Sequence, residues 1–374
     1  MKRYWVLAAF SFVVLACAAV WMGSLNQDEG WYLYAAQLVS EYKMPYRDFF
    51  YTQGPVMPIV YAAFASVWKS FGLLGARVLT FAFGVVGIAS FCALAARLAP
   101  ERRRAAAALV VFFLLGVNLY HLYYVAIPKT YALASLFIAM GFDCVCHARR
   151  GGWRGAAAAA AGGLSLALAA GTRISLGILL AVVGFGLLFA FRRFRWTFLW
   201  FGLGGALGLA VVYGFFLADP VARAGLVAAQ TYHAARGGFD PVFTVGSVSR
   251  LVRWYLPLFI VLGLGVAGLA GGRTTDDDGR SFFAWLALAG FLAVFAVQIL
   301  APFPYEDYQV PVMGLLAVFA AVSFVGHGGP GDARLATGDG RQATVDSRQP
   351  GDARQATGDN PNTQTPNNPN NTIL

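Results

Sequence analysis

The stretch Asn26-Gln27-Asp28-Glu29-Gly30-Trp31-Tyr32-Leu33-Tyr34 follows almost directly on an apolar run from Tyr4 to Met22. At ~1.5 Å of rise per helical residue, that run is long enough to cross the ~30 Å hydrocarbon core of a bilayer. Two adjacent carboxylates therefore fall just past the far end of a span, where ionised groups are costly unless they have a task. Met1-Lys2-Arg3 ahead of an apolar stretch reads like a secretory signal. The stretch is too long for one, and no small-x-small cleavage site is clear before Asn26. A retained signal anchor is expected.

Outward from this point the chain stays apolar. Of its 374 residues, 58% are hydrophobic and 12% charged, where a soluble domain carries about one quarter charged. A polytopic membrane protein is predicted. The net charge of +10 does not point to nucleic acid, because the basic residues fall in short clusters between apolar runs. Cys17, Cys92, Cys144 and Cys146 lie within or at the ends of apolar runs and make no secreted disulfide pattern.

The apolar runs predict about ten spans, near residues 4–22, 73–96, 105–122, 131–147, 156–171, 174–191, 196–217, 251–270, 281–300 and 309–326. Lys2-Arg3, Arg97 with Arg102-Arg103-Arg104, Arg149-Arg150 with Arg154, and Arg192-Arg193 with Arg195 recur at every second loop. The positive-inside bias places those loops and the N-terminus in the cytoplasm, and Asp28-Glu29 outside. The run from Pro55 to Trp68 is apolar but short. Counting it as a span would put Arg97 and Arg102–Arg104 outside, so it is expected to lie in the interface or to dip in and return.

The first outer loop is then residues 23–72, long enough to suggest function. Asn26 followed by Glu29 fits an N-cap with its capping-box partner. Trp31, Tyr34, Leu38 and Tyr42 at helical spacing predict an amphipathic helix on the membrane, stopped by Pro45. Gly54-Pro55 marks a turn. A second long outer loop, 218–250, holds Asp219, His233, Arg236 and Asp240. Asp276-Asp277-Asp278 in the last inner loop reads as a solvated turn. Residues 1–326 form one multi-spanning domain. Beyond them Pro330–Asp339 recurs as Pro350–Asp359, and 327–374 is expected to be a disordered, low-complexity cytoplasmic tail.

Asp28-Glu29-Gly30-x-Tyr32-Leu33-Tyr34-Ala35-Ala36, then Pro45-Tyr46-Arg47-Asp48-Phe49-Phe50, then Gln53-Gly54-Pro55, resembles the first outer loop of GT-C superfamily glycosyltransferases. Protein O-mannosyltransferases and bacterial lipid A aminoarabinose transferases belong to that group. Arg77, Thr172-Arg173 and Tyr232-His233-x-x-Arg236 fit the same layout. The resemblance covers roughly residues 1–325, with its specific motifs in 26–58. It implies a GT-C-like α-helical bundle, a polyprenyl-phosphate sugar donor, and transfer on the outer face with inversion. It also implies that Asp28 is the catalytic carboxylate. Two departures stand out. The loop from Leu119 to Thr130 holds His121 and Lys129 but not the further acid of many relatives. A large C-terminal outer domain, which many relatives use for acceptor recognition, is not seen in the sequence.

Transfer from a phosphate-linked sugar needs a base for the attacking hydroxyl and cations for the departing phosphate. Phosphate leaves readily, so one acid plus a basic clamp is enough, in contrast to the two carboxylates of glycoside hydrolysis. Asp28 is the candidate base. At helix positions N2 and N3, however, Asp28 and Glu29 also suit plain capping of the helix dipole. Glu29 is the second candidate, for the site itself or for its support. Lys43, Arg47, Lys129, Arg173 and Arg236 are predicted on the outer side against the charge bias. They suit phosphate, and equally suit snorkelling to lipid headgroups. Arg47-Asp48 also reads as a local ion pair. His233 could orient acceptor or phosphate, or be an ordinary loop histidine. Glu306-Asp307 are acceptor-side acids or solvated charges.

Other groups carry less. Cys144-x-Cys146-His147 with Asp143 lacks a second ligand pair, so no metal site is predicted. Gly202-x-Gly204-Gly205 reads as helix packing. Tyr120, Tyr123, Tyr124, Trp254 and Tyr255 read as interfacial belts, or as a lining for a sugar groove.

The expected protein is thus a bacterial inner-membrane glycosyltransferase with its site on the periplasmic face. A polyprenyl-phosphate-linked sugar is its donor, and a glycan, lipid or protein its acceptor. No nucleotide or other cofactor is expected, since the donor's phosphate ester carries the energy. Two rivals remain: a transporter or flippase of lipid-linked sugars, and a catalytically inactive scaffold of envelope glycan assembly.

Overall fold

The computed structural model describes residues 2–190, 196–234, 238–271 and 279–326. The expected tail and the Asp276–Asp278 turn lie outside the described residues. Among the described residues the chain is helical, with one isolated bridge between Pro45 and Phe49.

Every apolar run of the sequence appears as helix. Seven helices of the described residues are long and apolar enough to cross a membrane, or up to nine if each of two bent pairs counts as one span. The seven begin with α1 (Lys2–Cys17), which runs on as a π-helical turn, Ala18–Met22. The others are α4 (Ala65–Leu98), α7 (Thr130–His147), α8 (Gly152–Thr172), α10 (Thr197–Ala218), α14 (Arg280–Ile299) and the stretch Glu306–Gly326. That last stretch is a 3₁₀ segment, Glu306–Val312, leading into α15 (Met313–Gly326). α9 (Ile178–Phe189), with the turn Ile174–Gly177 ahead of it, is apolar but shorter. The fold is a polytopic, all-α membrane bundle.

α7 and α15 are the most enclosed helices, with most of their residues buried. Both are apolar on nearly every side, as a helix surrounded by helices must be. α8 packs on α7 and α10 through small residues. A Cβ at Gly163 would run into the Phe201 carbonyl, and one at Gly204 into that of Ala160. The backbones can approach this closely only because those side chains are missing. Gly202, grouped with Gly204 by the sequence, faces open space.

The bent pairs were not foreseen. α5 (Arg104–Gly116) and α6 (Leu119–Ala126) meet at 71°, and α12 (Pro241–Trp254) meets α13 (Leu256–Gly271) at a bend of 83°. The expected runs 105–122 and 251–270 are therefore each broken. The two breaks hold each other. Asn118 Nδ2 donates to the Trp254 carbonyl at 3.0 Å, and Tyr120 stacks on Trp254 at 5.0 Å and 13°. His121 Nδ1 lies 3.0 Å from the Tyr255 hydroxyl. Asn118 also caps α6 by accepting from the His121 N–H, which is why the chain restarts as helix there.

The awkward run at 55–68 becomes α3 (Val56–Ala63) and the opening turns of α4. Inside α4, Gly72 sits at φ 61°, ψ −148°, outside helical geometry. α4 has 34 residues; at ~1.5 Å each it would be ~51 Å long, well over a ~30 Å core. The break at Gly72 thus separates a preceding segment from the span proper, close to the expected start at 73.

Candidate active site

α2 (Gln27–Ser40) opens the site. Asn26 and Glu29 form the expected capping box: Asn26 Oδ1 accepts from the Asp28 N–H at 3.0 Å, and Glu29 Oε1 accepts from the Asn26 N–H at 2.9 Å. The helix ends at Ser40, ahead of Pro45, because Tyr42 turns into the left-handed region at φ 63° and the Lys43 N–H returns to the Leu38 carbonyl. The face it buries carries Glu29, Tyr32, Ala35 and Ala36. Trp31, Tyr34 and Tyr42, three of the four residues of the expected apolar stripe, are exposed.

Glu29 is held on all sides. Arg77, buried on α4, donates through Nε to Oε2 at 2.8 Å and through Nη2 to Oε1 at 2.7 Å. The same guanidinium takes the carbonyls of Gly23 at 2.9 Å and Ser24 at 3.0 Å. One arginine thereby ties the end of α1, the start of α2 and α4 together. A planar five-donor fork suits this, since a lone buried charge would be costly. Glu29, a candidate for the site itself or for its support, has both oxygens engaged and is 2% exposed, the arrangement that suits support.

Asp28, one residue earlier, points elsewhere. Its Oδ2 lies 2.8 Å from Lys129 Nζ, while its side chain keeps 38% exposure. Lys129 stands at the N-cap of α7, buried, over the rings of Tyr131 at 4.8 Å and Tyr124 at 5.7 Å. It also donates to Asp307 Oδ2 at 2.9 Å, and the Tyr131 hydroxyl donates to that same oxygen at 2.8 Å. Lys129 thus bridges two carboxylates supplied by opposite ends of the chain. Asp307, singled out by sequence only as one of two acids before the last span, supplies a second acid that the Leu119–Thr130 loop does not contain. Burial pulls the Lys129 pKa down, but Tyr131, Asp307 and Asp28 outweigh it, and the net direction is up.

Arg173 follows α8 in extended geometry, φ −140°, ψ 117°. It is buried between aromatic rings, 5.0 Å from Tyr131 and 4.7 Å from Tyr308, and its Nε has no partner. Gly54 packs its backbone against the Gly171 carbonyl, which brings the first loop onto the end of α8. Tyr32 lies among these groups. Its phenol is pushed up to about 12, chiefly by burial, with Arg173 and Lys129 pulling it down and Asp28 raising it. A cavity of about 500 Å³ opens beside Arg173 and Tyr308. Lys129 was expected to bind phosphate. Between two carboxylates its charge is already balanced, whereas Arg173 makes no ion pair among the described residues.

The remaining expected residues scatter. Arg47 lies 3.6 Å from Asp219 and is half exposed, while Asp48 accepts from the Met44 N–H, so the expected Arg47–Asp48 pair does not form. Lys43 is exposed. His233 lies on α11 (Pro220–Ala234); its side chain, like Arg236, is outside the described residues. Glu306 pairs with Arg250 at 3.0 Å. Asp143 and His147 both meet Arg97, which occupies them as partners of a cation. Tyr131, Tyr308 and Gln298 line or support the site and were not foreseen. Only the position of Tyr131 two residues after Lys129, and the adjacency of Tyr308 to Asp307, offered a signal.

This fold and site define a polytopic, all-α membrane protein. Among solved structures the chain is similar to ArnT from Cupriavidus metallidurans bound to undecaprenyl phosphate, at a TM-score of 0.63 and 17% identity over 86% of this chain and 60% of that one. The apo state of the same protein gives 0.58 and 19%, over 86% and 59%. The chain therefore spans about 60% of the length of ArnT. The archaeal oligosaccharyltransferase AglB from Archaeoglobus fulgidus, in complex with an inhibitory peptide and a dolichol-phosphate, is more distant at a TM-score of 0.46 and 14% identity, over 93% and 53%. No protein-family model and no curated protein matches the sequence. At these identities the likeness shows a shared fold.

Proposed function

We propose that the protein is a membrane glycosyltransferase that moves a sugar from a polyprenyl-phosphate donor to a hydroxyl of a glycan, lipid or protein acceptor. The observation that carries this reading is the pairing of two unlike groups. Asp28 is held by Lys129 yet open to solvent, and Arg173 is buried with an unpartnered Nε. The solved ArnT structure holds undecaprenyl phosphate, and that lipid class is carried over to this chain as part of the proposal.

Asp28 takes the proton of the acceptor hydroxyl. The acceptor oxygen then bonds to the anomeric carbon as the bond from that carbon to the phosphate oxygen breaks. The electron pair leaves with the phosphate, which Arg173 neutralises by charge-assisted hydrogen bonds. A single in-line displacement of this kind inverts the anomeric centre. Lys129 and Asp307 position Asp28, and the Glu29–Arg77 clamp fixes the start of α2 on which it rides. The positive-inside pattern of the loops supports a bacterial inner-membrane location, a cytoplasmic N-terminus and a site facing the periplasm.

The test is sugar transfer in proteoliposomes, with a panel of polyprenyl-phosphate sugars as donors and envelope extracts as acceptors, wild type against Asp28→Asn. Transfer that vanishes in the variant supports the enzyme. Equal transfer in both rejects Asp28 as the base. Donor that crosses the bilayer without any transfer would favour a flippase.

A further inference from the structure

We propose that the cavity beside Arg173 takes an uncharged sugar, and that Gln298 is the residue that reads one of its hydroxyls. The proposal rests on the glycosyltransferase reading above and adds the class of sugar and a specificity residue to it.

Two buried polar side chains lining this cavity each have an atom without a partner. Arg173 is 6% exposed and its Nε donates to nothing. Gln298, on α14, is 4% exposed; its Nε2 donates to Ser175 Oγ at 3.3 Å, and its Oε1 accepts from nothing. Unpartnered buried polar atoms are uncommon because each forfeits its hydration without return. Both residues line the same cavity, and their unpartnered atoms describe the ligand that would complete them: an anion for the cationic donor, a hydroxyl for the neutral acceptor.

The rest of the lining points the same way. Gln53, Gln230 and the Tyr305 ring supply amides and an aromatic surface, which suit sugar hydroxyls and an apolar sugar face. Among the described residues that line the cavity, Arg173 carries the one formal charge, and no carboxylate is present. An amino sugar would bring an ammonium that finds no carboxylate in the lining. A sugar acid would compete with the phosphate for Arg173. A neutral sugar meets neither penalty. A polar site that loses its matching group discriminates more strongly than an apolar one, because its own buried atoms stay unpaired.

The experiment is competition for labelled undecaprenyl phosphate bound to the full chain in detergent. The competitors are unlabelled undecaprenyl phosphate and its glucose, glucosamine and glucuronic acid esters. The glucose ester is expected to compete about tenfold better than the other two esters and than the bare lipid phosphate, as one well-placed hydrogen bond allows. Gln298→Leu should erase its advantage over bare lipid phosphate. Gln298→Glu, close to isosteric, should turn the preference toward the glucosamine ester and keeps the test alive if the leucine variant does not fold. An amino-sugar or acid ester that matches the glucose ester overturns the proposal, as does an advantage that survives both Gln298 variants. If bare undecaprenyl phosphate fails to bind the wild type, or binds Arg173→Gln equally well, the glycosyltransferase reading falls and this inference with it. Binding of every ester alike, with dependence on Arg173 intact, removes the sugar inference alone.

Discussion

Asp28 and Glu29 are neighbours in the sequence and opposites in the fold. Glu29 is enclosed, with both oxygens bonded to one arginine and to the backbone that its own helix begins from. Asp28 touches a lysine shared with a second acid and keeps much of its side chain open. The same contrast separates their partners: Arg77 spends its donors on Glu29 and backbone carbonyls, whereas Arg173 leaves Nε unspent. A buried charge whose every bond is made holds structure, and one with an unpartnered atom gains from a ligand that supplies the missing bond.

The sharpest way to break this contrast is to disable the two sides separately, neutralising Asp28 on one and removing the partner of Glu29 on the other. Asp28→Asn should lower the transfer rate by ~10²–10⁴-fold, the range for loss of a general base, with a melting temperature near that of the wild type. Arg77→Met should do the reverse at source. It leaves a buried carboxylate without its partner, which costs roughly 3–5 kcal/mol of stability. Activity would then fall only because less protein is folded. Because well-packed neutral pairs often replace buried ion pairs without loss, Glu29→Gln with Arg77→Met should recover part of that stability. Thermal unfolding of the three variants beside their specific activities decides it; a cold-stable, inactive Arg77→Met would place the clamp in the chemistry.

How much of this was legible in the sequence follows from the range of each interaction. The spans showed because hydropathy is a property of a run, and the capping box because Asn26 and Glu29 lie three residues apart. The break at Asn118 was hidden because the chain stays apolar on both sides of it, and the one at Tyr255 because it falls near the start of an apolar run; contacts between the two hold them. The inward face of α2 was not legible because its residues include an acid, Glu29, that only a partner 48 residues away makes tolerable. Asp28, Lys129 and Arg173 were each named from sequence. Their grouping, and the part of Asp307, depend on packing across 178 residues, beyond what any local pattern encodes.

A smaller effect separates the cations. Arg173→Gln should raise the KM for donor by ~10–100-fold, as loss of hydrogen bonds to a charged group implies. Arg47→Gln should stay within about twofold, because its neighbour is Asp219 at the surface and exposed pairs contribute little. Donor-dependent initial rates of the two variants check this. Equal losses would mean that Arg47 reaches the phosphate in the liganded protein, and the phosphate site would then extend into the first loop.

The smallest expected effect is an absence of change with pH. Lys129 has a folded pKa above its ordinary 10.5, since Tyr131 and two carboxylates overcome its burial. For a base raised on folding, the stabilisation is complete below the unfolded pKa and is lost only as pH climbs through the higher folded one. Tyr32, pushed up to about 12, stays neutral over the same range. Between pH 7 and about pH 10 the bridge between Asp28 and Asp307 should therefore keep its charge, and neither residue should give the transfer rate an alkaline limb. Lys129→Arg serves as the control, because a guanidinium cannot lose its proton in this range. A limb below about pH 10 in the wild type that disappears in Lys129→Arg would show the lysine deprotonating. Asp28 would then depend on a weaker bridge than the 2.8 and 2.9 Å contacts imply, and the open side of the comparison would be less ordered than the closed one.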